Sequence, residues 1–208
     1  MNQLFHHNHT LKYFFESIDD VINTQQLKEM TDLDSIDGVL REYLSIDEMR
    51  EAGSFFTGQK LSTVAVKKFR RAITFESVVL DPTCGAGNLL IECSRQLGVE
   101  QELSQTLALW GKVLRGYDLH ESFVEATKLR IVLEALNRGA IKDCSLEDAL
   151  LYFPYIRVTD AMSLQKKDLV DVSHIIMNPP FSSWNSPKNN YWKQGKVNAA
   201  GVLFDHYL

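Results

Sequence analysis

The stretch Leu80-Asp81-Pro82-Thr83-Cys84-Gly85-Ala86-Gly87-Asn88-Leu89-Leu90 constrains this chain more than any other. Val78, Val79 and Leu80 form a short continuous apolar run of the kind a parallel strand buried on both faces shows. Asp81 closes the run, a turn with Gly85 and Gly87 follows, and Leu89, Leu90, Cys93 and Leu97 then recur at helical spacing. Strand, glycine turn and helix in that order predict a ligand-binding βα unit, because glycine lets the backbone turn sharply and approach a ligand closely. The helix after the turn directs its free N–H groups toward whatever occupies it.

The same pattern repeats downstream. A helix to about Leu97 and a second helical piece over 101–110 lead into a strand over 113–119 that carries Asp118 near its end. Phe123, Ala126, Leu129, Val132, Leu133 and Leu136 share the next helix, which Gly139 stops. Ser145 with Asp148 three residues on starts a short helix ending near Phe153. A third strand, 156–160, ends in Asp160, and a fourth, 172–177, ends at Asn178. Strands alternating with helices predict an α/β class fold, a Rossmann-like doubly wound, mostly parallel sheet. Asp81, Asp118, Asp160 and Asn178 then share one rim of that sheet, where such folds bind ligands. An acid after the second strand suits a ribose, since its two oxygens can accept from two vicinal hydroxyls; helix capping is the alternative reading for Asp118 and Asp160.

A second element narrows the chemistry: Ile175-Ile176-Met177-Asn178-Pro179-Pro180-Phe181. An exocyclic amino group on an aromatic ring is a poor nucleophile because its lone pair is delocalised. Two acceptors taking its two hydrogens favour a pyramidal nitrogen with the lone pair turned to a methyl donor. Asn178 supplies a side-chain amide oxygen, Pro179 a carbonyl held by the double proline, and Phe181 a flat face for an extruded base. A nicotinamide dehydrogenase does not fit, because Leu89-Leu90 stands where Gly-x-Gly-x-x-Gly needs its third glycine, and it leaves 178–181 unexplained.

Together, the two elements resemble the class I S-adenosylmethionine-dependent methyltransferases, and among them the restriction-modification type N-6 DNA methylases that act on adenine. In that family an Asp-Pro-x-Cys-Gly-x-Gly loop holds S-adenosyl-L-methionine and an Asn-Pro-Pro-Phe element holds the base. The resemblance implies cofactor contacts from Asp81, Cys84, Gly85, Gly87, Asn88 and Leu89, with Asp81 steadying the loop and the methionine amino group. It implies that Asp160 receives the adenine amino group of the cofactor, that Leu119 flanks the ring, and that Asn178, Pro179, Pro180 and Phe181 are catalytic. Ahead of the loop, Gly53, Phe55, Phe56 and Thr57 match a segment that touches the methionine end, although Gly58 replaces the usual proline and frees the turn. The Asn-Pro-Pro-aromatic element also occurs in methyltransferases acting on ribosomal RNA guanine and on a release-factor glutamine, so it specifies the reaction more closely than the substrate. A non-catalytic cofactor-binding fragment within a larger assembly is the further alternative.

Cys84 is read as a small packed residue, since ring-attacking base methyltransferases carry their cysteine in the substrate loop and this one has none there. The polar stretch 182–198, with Trp184, Tyr191, Trp192, Lys188, Lys193 and Lys196, reads as a loop suited to phosphates and unstacked bases, or as a surface lid. A net charge of −5 excludes a strong non-specific grip on DNA spread over the whole chain, so DNA binding needs local patches or a second module such as a specificity subunit. Three cysteines without metal-type spacing fit a reducing cytoplasm, and no apolar run is long enough for a bilayer. The adjacent His6, His7 and His9 lack the partners of a metal site. Residues 1–50 read as a helical packing prelude, with Leu11, Phe14, Ile18, Val21 and Ile22 on one face and a later helix over 36–49. Residues 51–208 read as a partial catalytic domain that lacks the later strands of the family fold. Weak or absent catalysis by this chain alone and an exposed edge on the fourth strand are the resulting expectations.

Overall fold

The structure, a computed structural model, describes residues 4–18, 24–41, 56–186 and 195–207. The readings on Val21, Ile22, Gly53, Phe55, Lys188, Tyr191, Trp192 and Lys193, and on 42–49, fall outside them.

Four parallel strands form the central sheet: β1 (Val79–Asp81), β2 (Leu114–Asp118), β3 (Ile156–Val158) and β4 (His174–Ile175), in the order β3-β2-β1-β4. The chain builds outward from β1 through β2 to β3 and then crosses back to the other side of β1. The reversal lies between β1 and β4, and open α/β sheets bind ligands beyond the strand ends at such a point. β4 has a strand partner on its β1 side only, among the described residues, and an apolar cleft bordered by Phe69, Ile175, Met177 and Phe204 runs beside it.

Successive residues of a strand point to opposite faces, and the sheet separates two apolar clusters accordingly. Val79, Leu114, Ile156 and Ile176 pack into the larger cluster, and Leu80, Tyr117 and Ile175 into the smaller. Helices α1 (Phe5–Glu16), α2 (Thr24–Thr31) and α3 (Ser35–Arg41) form the N-terminal region, followed by α4 (Gln59–Lys67). Beyond β1 come α5 (Asn88–Ser94), α6 (Leu103–Val113), α7 (Glu121–Asn137) and α8 (Leu146–Leu151). Trp110 of α6 is fully buried, and α1 and α2 both lie against α7, so the N-terminal helices share the larger core. The other face is covered by the 3-10 turn Ala161–Ser163 and by α9 (Ala199–Tyr207), whose Leu203 and Tyr207 reach Leu80 and Tyr117.

Several boundaries differ from the sequence reading. Val113 closes α6 and Leu114 opens β2 directly, with no loop between them. Asp160 lies beyond β3, where its carboxylate accepts from the Met162 N–H at 2.9 Å and caps the 3-10 turn. α1 starts at Phe5, which brings His6, His7 and His9 into its first turns. The stretch expected as a loop contains an antiparallel pair, β5 (Ser183–Asn185) and β6 (Lys196–Asn198), with Trp184 opposite Val197. Ser145 does cap α8, accepting from the Asp148 N–H at 3.1 Å.

Candidate active site

An open cleft lies over the carboxyl ends of β1 and β2, at the strand-order reversal. One wall is the glycine turn. Gly85 has φ +53°, and a Cβ there would come 2.7 Å from the Phe56 ring. Gly87 has φ +85°, and a Cβ would meet the Thr127 side chain at 2.7 Å. Phe56 and Thr127 therefore fill the space that the two glycines leave. Gly85→Ala is expected to destabilise the fold by about 1–2 kcal/mol from the left-handed backbone alone, with the ring contact adding to it. A lower urea midpoint with an unchanged slope would register this.

The turn is anchored to β2. The Cys84 N–H donates to the Tyr117 carbonyl at 2.8 Å, and the Gly85 N–H to Asp118 Oδ2 at 3.1 Å. Asp118 Oδ1 accepts from the His120 N–H at 2.8 Å, so each oxygen of this carboxylate holds one backbone donor and keeps acceptor capacity on the cleft side. Burial pushes the Asp118 carboxyl up, against the pull of the N–H groups it accepts from. Asp81, 1% exposed, accepts from the Thr83 N–H at 3.0 Å. Burial, with the Asp118 charge adding, raises its carboxyl to about 7. Cys84 is buried beside both acids, and burial first, then their charges, pushes its thiol well up. It stays protonated at neutral pH, as a packed residue would.

Of the residues expected at the site, the structure brings Phe56, Thr57, Asp81, Cys84, Gly85, Asn88, Leu89, Asp118, Leu119, Asp160, Asn178 and Pro180 to the cleft lining. Gly87, the buried Pro179 and Phe181, which is 61% exposed, are not among its lining residues. The Asn88 amide is occupied by protein groups rather than turned to the cleft. Residues the motifs did not single out also line it: Thr83, His120, Phe123 and Leu203. His120 and Phe123 stand two and five places after Asp118 on the entry to α7, so proximity to the ribose candidate was their one sequence signal. Trp184, from the hairpin, lines the cleft with Asn178 and Pro180.

Two properties describe what the cleft suits. Among the described residues its lining carries three carboxylates and no lysine or arginine, which favours a cation over a pyrophosphate. The hydroxyl of Thr57 is buried there and finds no hydrogen-bond partner among the described residues, so a polar ligand would satisfy it.

Sheet order, glycine turn and acid-rimmed cleft define an α/β methyltransferase-type domain. The chain belongs to the N-6 DNA methylase family, whose sequence profile, described as N-6 DNA Methylase, matches residues 34–202. That family uses S-adenosylmethionine as methyl donor. Among solved structures the chain is similar to a protein described as a modification subunit of a type I restriction enzyme from Vibrio vulnificus YJ016. The TM-score is 0.51 and the identity 19%, over 92% of this chain. The chain spans 36% of that subunit's length. No curated protein matches. The described residues contain no helix long and apolar enough to cross a membrane.

Proposed function

We propose that this chain binds S-adenosylmethionine in the cleft and serves the methylation of adenine N6 in DNA, within a restriction-modification system. The observation that carries this reading is the placement of Asp81, Asp118, Asp160 and Asn178 around one cleft at the switch point of the sheet. S-adenosylmethionine, when bound, supplies an electrophilic methyl group on a cationic sulfur. Asp118 would accept from vicinal ribose hydroxyls while holding the Gly85 N–H, and Asp160 would receive the adenine amino group. Asp81 would face the ammonium. Asn178 and the Pro179 carbonyl would take the two N–H hydrogens of the acceptor amine and free its lone pair. Trp184, beside Asn178 and Pro180, offers the flat surface within the cleft that Phe181 does not. Most of the rate would come from positioning. DNA would be the acceptor, and a specificity subunit or further polypeptide would supply recognition.

The test offers labelled S-adenosylmethionine with mixed-sequence DNA, total RNA and protein extract in parallel. Weak label in DNA, recovered as N6-methyladenine, is expected. Label confined to RNA or protein, or no label together with no binding of S-adenosylmethionine, would overturn the reading.

Asp81 adds a pH dependence. In the free chain its carboxyl is protonated below about 7, and an ammonium beside it favours the ionised form. Binding therefore releases a proton below pH 7, and affinity rises with pH up to about 7 and then levels. The slope is at most about tenfold per pH unit. Calorimetry in two buffers of different ionisation heat should show the release at pH 6, and Asp81→Asn should remove it.

A further inference from the structure

Arg130, on α7, is fully buried and has no carboxylate at ion-pair distance among the described residues. Its Nη1 donates to the Ala86 carbonyl at 2.7 Å and to Asn88 Oδ1 at 2.6 Å, and its Nη2 donates to the Asp32 carbonyl at 3.0 Å. Asn88, the first residue of α5, continues the chain of contacts: its Nδ2 donates to the carbonyls of Leu33 at 2.8 Å and Thr57 at 2.9 Å. Two side chains thus hold four backbone carbonyls, belonging to the glycine turn, the Thr57 wall of the cleft and the link between α2 and α3.

Burying a guanidinium is costly, and here its hydrogen bonds to buried acceptors offset that cost. Burial depresses the Arg130 pKa to about 10, and its Nε finds no partner. What the guanidinium supplies is direction, since its donors leave in a fixed fork. Asp118 holds the cleft side of the turn at Gly85, while Arg130 holds its rear at Ala86. A second, half-buried arginine makes a similar connection. Arg95, the C-cap of α5, bonds Glu92, Glu134, Gln59 and the Thr31 carbonyl.

We propose that Arg130 is a positioning residue for the cofactor turn and that, through Arg130 and Asn88, the α2–α3 link of the N-terminal helices forms part of the cofactor site. The proposal rests on the cofactor reading above. It replaces a passive packing role for those helices with a coupled one: ligand in the cleft steadies residues 32–35, and disturbance of the helices loosens the cleft.

The test compares wild type, Arg130→Met, Arg130→Lys and Asn88→Ala by S-adenosylmethionine titration and by amide hydrogen exchange. Arg130→Met is expected to weaken binding about tenfold and to raise exchange at 83–88 and 32–35 while 114–118 and 156–158 keep their protection. Arg130→Lys recovers part of the affinity. Should Arg130→Met not fold, Asn88→Ala is expected to show the same local pattern. Unchanged exchange at 83–88, or a rise spread evenly over the sheet, would overturn the proposal. Absence of binding by wild type would instead overturn the cofactor reading, and the exchange comparison would still decide the clamp.

Discussion

Asn178→Ala is expected to lower methyl transfer by roughly 10²–10³-fold in kcat, the loss seen when one preorganised polar contact to a reacting group is removed. S-adenosylmethionine should still bind, because Asp81, Asp118 and the glycine turn stay in place. The reason is electronic. With one acceptor gone, the amino nitrogen keeps its lone pair in the ring, and the remaining carbonyl of Pro179 cannot hold both hydrogens. Asn178→Asp, which restores an acceptor but adds charge beside three carboxylates, should recover little. Equal losses in binding and turnover would instead mean that Asn178 supports the cofactor.

Asp118→Ala should weaken cofactor binding by tenfold to a hundredfold, since hydrogen bonds to an ionised group contribute about 1.5–3 kcal/mol each. The substitution removes the ribose acceptor and also releases the N–H groups of Gly85 and His120. Asp118→Asn separates the two effects. It keeps one acceptor oxygen for the turn or the ribose, and an intermediate affinity is expected. Calorimetric titration of both variants beside wild type would check the order.

The parts of this site that were legible in sequence are those encoded locally. A buried parallel strand shows as an apolar run, and the polar residue that ends it falls on the rim of the sheet, which is how Asp81 and Asp118 could be assigned to one edge; the fourth strand, expected over 172–177, is only His174–Ile175, and Asn178 reaches the cleft three residues beyond it. The two glycines could be read because their positive φ angles leave few alternatives. What could not be read depends on distant partners. Asn88 looked like a loop residue facing a ligand, yet its amide is satisfied by Leu33, 55 positions away, and by Thr57 and Arg130. The β5–β6 hairpin stayed hidden because its residues are mostly polar and its pairing joins Trp184 to Val197 across a long intervening stretch. Phe181 followed the motif in sequence, but its ring lies outside the cleft, while Trp184 arrives there through that hairpin.

In the proposed function, the acid-rimmed cleft holds S-adenosylmethionine. Titrating S-adenosylmethionine and, separately, NAD into the 208-residue chain tests it most directly. Saturable one-to-one binding of S-adenosylmethionine is expected and none of NAD, whose pyrophosphate would meet three carboxylates with no lysine or arginine among the described lining residues to receive it. Binding of NAD, or a folded chain that takes up neither ligand, would contradict it.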